Sequence, residues 1–148
     1  MDTFCGTANF LVDAASTAQP PIPADPAEAR KVFSTQLARL SGVLGTALID
    51  FDRLRDDPVG DGDVVIELIY DDVAAAKTRL DVAKSLLDAA PELTPELLGD
   101  VNDEVAKGLA PLEKAVTTIG LLDLPAELDG GAAVAPNCNR PTTPTTTT

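Results

Sequence analysis

Residues 63–90 read DVVIELIYDDVAAAKTRLDVAKSLLDAA, and this stretch decides the fold. Ile66, Ile69, Val73, Ala76, Leu80, Ala83, Leu87 and Ala90 follow one another at spacings alternating between three and four. That spacing lines one face of an α-helix. Val64-Val65-Ile66 alone would suit a strand, but the stripe persists over far too many residues for one. Pro91 ends it, because proline cannot continue a helix without losing a hydrogen bond.

The same alternation recurs on both sides. Upstream, Phe33, Leu37, Leu40, Leu44, Ala47, Phe51 and Leu54 form a heptad-like face running to about Asp56. It opens on strong start signals: Asp25 as N-cap, Pro26 at the first helical position and Glu28 completing a box-like pattern. Downstream, Thr94-Pro95-Glu96 repeats the cap-then-proline signal, and Leu98, Val101, Val105, Leu112, Ala115, Ile119 and Leu122 follow before Pro125. A shorter face, Phe4, Ala8, Leu11, Ala15 and Ala18, precedes an extended connector at Gln19-Pro20-Pro21-Ile22-Pro23. The sequence therefore predicts an all-α fold in residues 1–139. A short helix spans 3–18 and a connector 19–24, and long helices cover about 26–56, 63–90 and 95–123. Each long helix would span roughly 40 to 45 Å at about 1.5 Å per residue. Short connections make neighbours antiparallel, giving an up-down bundle.

If the 3–18 helix packs antiparallel to the next one, parity places its start at the end where the last helix finishes. Cys5 and Cys138 would then lie within reach of each other. In the chain-entropy model such a bridge adds about 4 to 5 kcal/mol, less if strained. The plainer alternative is a pair of thiols that never meet. Residues 140–148 are a tail of Arg140 followed only by Pro and Thr, with the composition of an O-glycosylated stalk or extended linker. A bracketing cysteine pair and such a tail point to a secreted or cell-surface protein. No basic region and apolar core follow Met1, so Met1 reads as a fragment start with the targeting segment missing. No run of about eighteen apolar residues is present, so no membrane insertion by this segment is expected.

Cys5 near the start, Pro23-Ala24-Asp25-Pro26 opening an Ala-rich helix, and Asn137-Cys138 near the end together resemble small secreted all-helical proteins of actinobacteria. The likeness covers the layout of the whole chain, and its motifs are short. It implies compartment and fold and carries no activity with it. The Thr/Pro tail departs from that pattern, in which the chain stops soon after the second cysteine.

Composition excludes whole classes of chemistry. The 148 residues contain no histidine, which removes His-based triads, His general bases and Glu-x-x-His metal sites. Two cysteines cannot form a four-cysteine zinc site. With 11 basic and 24 acidic residues the net charge is −13, which repels a nucleic-acid backbone. Apolar residues make up 45% but aromatics only 3%, so the core must be built from Ala, Leu, Val and Ile.

Four features could carry function. Gly42 and Gly45, Ala74 to Ala76, and Gly108 with Ala110 and Pro111 should share one level, mid-way along the three long helices. Glycine and proline inside helices cost about 1 and 3 kcal/mol, so close backbone approach or a kink opening an apolar pocket should offset them. Such a pocket would be lined by Leu40, Gly42, Leu44, Gly45, Val73, Ala76, Val105, Gly108, Leu109, Pro111 and Leu112. The loop Asp56 to Asp63 is rich in carboxylates, but it fails the EF-hand register, with Val59 and Leu68 where ligands belong. No metal site and no cofactor are expected. The same end of the bundle should collect Asp123, Glu127 and Asp129, a surface that would suit a basic partner or simply keep the protein soluble. No carboxylate pair stands out for acid/base work, and Ser16, Ser34, Ser41 and Ser85 have no histidine to activate them.

The chain accordingly reads as a non-catalytic binding module carried on a Thr/Pro stalk, its partner a protein or a cell-wall component. The alternatives are a carrier of a small apolar ligand in a mid-bundle cavity and a structural spacer. A binder exposes an apolar patch, a carrier hides a cavity, and a spacer has neither.

Overall fold

The computed structural model describes residues 5–7, 9, 23–56, 62–120 and 136. Three long helices dominate: α1 (Pro26–Asp56), α2 (Gly62–Ala89) and α3 (Pro95–Gly120). Cys5–Thr7 and Asn9 are helical as well, and no strand occurs among the described residues. The protein is an all-α helical bundle. The connector at 19–22, the tail 140–148 and the bulk of the predicted 3–18 helix lie outside the described residues, as do 121–123.

The helix starts follow from their caps. Asp25 Oδ1 accepts hydrogen bonds from the Ala27 and Glu28 amides at 2.8 and 2.9 Å, and Asp25 O accepts from Ala29 N at 2.8 Å. Pro26, which has no amide proton to leave unsatisfied, occupies the first turn. Thr94 repeats the arrangement for α3, its Oγ1 accepting from Leu97 N at 3.2 Å and its carbonyl from Leu98 N at 3.0 Å. The end of α2 is satisfied from another helix: Arg30 Nη1 donates to the carbonyls of Leu87, at 3.4 Å, and Ala90. Those carbonyls have no intrahelical partner, and a cation suits the negative end of the helix dipole.

Cross-helix pairs fix the directions. Ser34 meets Asp88, Ser41 meets Asp81 and Arg55 meets Glu67, so α1 and α2 run antiparallel. Lys114 meets Asp72 and Arg79 meets Glu104, so α2 and α3 do too. α2 packs along both neighbours. Its buried stripe is Ile69, Val73, Ala76, Leu80, Ala83 and Leu87. Leu37, Leu44, Ala47 and Phe51 face it from α1, and Val101 and Ala115 from α3, with Leu40, Val105 and Leu112 half-buried around them. Small side chains on α2 let both neighbours come close, so a core without tryptophan and with few rings still closes.

Candidate functional site

The mid-bundle level separates into a tight contact and an open surface. Gly108 is buried on α3, facing α2. A Cβ there would stand 3.2 Å from the Ala76 carbonyl oxygen, 3.2 Å from Arg79 Cβ and 3.7 Å from Leu80 Cδ2. Two of those atoms are fixed to the α2 backbone, so Gly108 is where the two helices touch. Gly45 is looser, its virtual Cβ 3.4 Å from the flexible Lys77 Cε. Gly42 is exposed with nothing within 4 Å. Of the residues expected to line a pocket, Leu44, Val73, Ala76 and Gly108 are buried, and Leu40, Gly45, Val105, Pro111 and Leu112 are half-buried. Gly42 and Leu109 point outward, Leu109 being 47% exposed. α3 continues through Pro111 to Gly120.

Between α1 and α2 runs a polar ladder. Ser34 Oγ donates to Asp88 Oδ1 at 2.6 Å, and Lys84 Nζ bonds the other carboxylate oxygen. Seven residues further along α1, Ser41 Oγ donates to Asp81 Oδ1, whose Oδ2 accepts from Lys77 Nζ at 2.6 Å. Two heptads beyond Ser41, Arg55 Nε bonds Glu67 Oε2 at 2.9 Å and its guanidinium lies over the Tyr70 ring, 4.9 Å from the centroid. Ser41 is 7% exposed, a buried hydroxyl whose desolvation is compensated by a charged acceptor. Burial pushes the Asp81 carboxyl up, but the bonds from Lys77 and Ser41, with the Lys77 and Lys84 charges, outweigh it and hold the group below its ordinary value. Asp88 is held low by the bonds from Lys84 and then Ser34. The repeats were visible beforehand as Ser34/Ser41, Lys77/Lys84 and Asp81/Asp88, each pair seven apart, though the sequence reading sought only a base for the serines.

The α2–α3 side has its own ion pairs. Lys114 Nζ meets Asp72 Oδ1 at 3.0 Å, while Asp72 Oδ2 is buried with no partner among the described residues. Glu104 accepts from Arg79 at 3.1 Å and Lys107 at 2.6 Å, and is held below its ordinary value chiefly by the Lys107 bond, against burial, with help from Arg79.

Outside this seam the surface of α2 carries a second apolar row. Val64 is 66% exposed, Leu68 49% and Val82 40%, with Ala75 exposed between them. Spacings of four, seven and seven place them on one side of the helix. Ile49 of α1 is exposed separately.

The two ends of the chain are sparsely described. Thr7 Oγ1 donates to Asp50 Oδ2 at 3.5 Å, which sets the N-terminal helical turn beside the last third of α1. Cys5 lies two residues before that contact, and no cysteine among the described residues is free. Cys138, the centre of the acidic loop at 57–61, Asp123, Glu127 and Asp129 lie outside the described residues. Among the described residues no three carboxylates or cysteines gather to hold a metal ion. By length and composition one helix, Pro26–Arg55, reaches the threshold for crossing a membrane, with a mean hydropathy of 1.3 over its most apolar window. Charged residues from Arg30 to Arg55 interrupt that helix, so it holds no continuous apolar run of about eighteen residues.

No protein-family model matches the chain, and neither a curated protein nor a solved structure matches it.

Proposed function

We propose that the chain is a non-catalytic interaction module, held outside the cytoplasm on its Thr/Pro tail and acting through the outer face of α2. The observation that carries this reading is the exposed row Val64, Leu68, Ala75 and Val82. Apolar side chains aligned along one exposed side of a helix offer a partner a surface to cover. The partner class is a protein or a cell-wall component.

Two arguments favour binding over catalysis or carriage. Ser34 and Ser41 donate to Asp88 and Asp81, carboxylates held below their ordinary values by lysines and so made weaker bases toward a hydroxyl proton. Gly108 against the Ala76 carbonyl supports packing, rather than a pocket, as the reason for small residues at mid-bundle. A Cys5–Cys138 bridge belongs to the same reading. It is supported by the absence of a free cysteine among the described residues and by the seating of Thr7 near the end of α1. α1 serves as a bundle helix rather than a membrane span, since Leu44, Ala47 and Phe51 are buried and Ser34, Ser41 and Arg30 bond to α2.

The test is retention of a partner from the secreted and cell-wall fractions of the source organism, by the parent protein and by a Leu68→Ser/Val82→Ser variant with an unchanged melting curve. The reading expects a partner held by the parent and lost by the variant. Equal retention by both, or no partner at all, overturns it. Thiol titration of the unreduced, denatured protein checks the bridge, and two reactive thiols would refute it.

A further inference from the structure

We draw no further inference here: the strongest candidate, the exposed apolar row Val64, Leu68, Ala75 and Val82 on the outer face of α2, belongs to the surface already described, and the charges beside it, Asp71 and Asp72 against Arg79 and Lys114, are of both signs, so nothing in the structure shows what covers it.

Discussion

Replacing Gly108 and Gly42 by alanine, one at a time, should separate the two sites, Gly42→Ala stabilising and Gly108→Ala not. Both glycines sit inside helices, where alanine is favoured by about 1 kcal/mol because it loses less backbone entropy on folding. At Gly42 nothing lies within 4 Å of the new methyl group, so Gly42→Ala should stabilise by about that amount. At Gly108 the methyl group would meet the Ala76 carbonyl oxygen and Arg79 Cβ, each at 3.2 Å. Neither atom can rotate away, so α2 and α3 must separate by a few tenths of an ångström over a seam that also holds the Asp72–Lys114 and Arg79–Glu104 pairs. Overpacking of this kind costs about 1 to 3 kcal/mol. Set against the propensity gain, Gly108→Ala should come out between roughly neutral and 2 kcal/mol destabilising. Gly108→Leu must displace more of the interface and should lose more than about 1 kcal/mol. Urea unfolding followed by far-ultraviolet circular dichroism measures this directly, with a constant m-value as the check that only stability has changed. If Gly108→Ala stabilised as much as Gly42→Ala, the contact would be slack and the close-approach account of mid-bundle glycine would be wrong. Saturable binding of an apolar fluorescent probe by the folded parent protein, together with a neutral Gly108→Leu, would instead favour a ligand cavity.

Three further outcomes follow from the ladder and the caps. Ser41→Ala leaves Asp81 with one bond fewer in a part-buried position and should destabilise by about 1 kcal/mol, read from the same unfolding curves; no change would mean that water replaces the hydroxyl. Asp25→Ala removes the acceptor for the Ala27 and Glu28 amides and should cost about 1 kcal/mol, whereas Asp25→Ser should recover most of it. Asp81, Asp88 and Glu104 are all held below their ordinary values, so the stability they contribute is complete above the usual carboxylate range and is lost as pH falls through their lowered values. Melting temperature should therefore drop in acid, and Asp81→Asn should flatten that drop; an identical acid profile in the variant would remove Asp81 from the account.

The starts of the long helices and their core faces were legible because each has a local physical cause. Asp25-Pro26 and Thr94-Pro95 start helices through their own backbone chemistry, and α1 and α3 begin at those prolines. The stripe read on 63–90 is the one buried in α2, from Ile69 to Leu87. The stripe on α1 was legible less finely. Leu40 was expected inside, yet Ser41 is the more buried of the two. A hydroxyl at that position has Asp81 opposite it, and the favourable bond can only be known once α1 and α2 are paired in register.

Helical phase tells the small residues at mid-bundle apart: Gly108 is a core position on the heptad, whereas Gly42 and Gly45 flank the Leu40 and Leu44 stripe. Gly42 lies two residues past Leu40 and Leu109 one past Gly108, each a large turn away from the buried face, and both face outward. Glycine gives no hydropathy signal of its own, so only the phase of its neighbours tells an interface glycine from a surface one. Gly108 was in phase with Val101 and Ala115, each seven residues away, and it is the one that touches α2. The exposed row on α2 follows from the converse step. With the main stripe read from the spacing as Ile69, Val73, Ala76 and Leu80, Val64, Leu68 and Val82 fall off it. Once that stripe is taken, they are left facing water on a helix already packed on both sides. That second row has no partner among the described residues, and it is the ground on which we propose that this bundle binds.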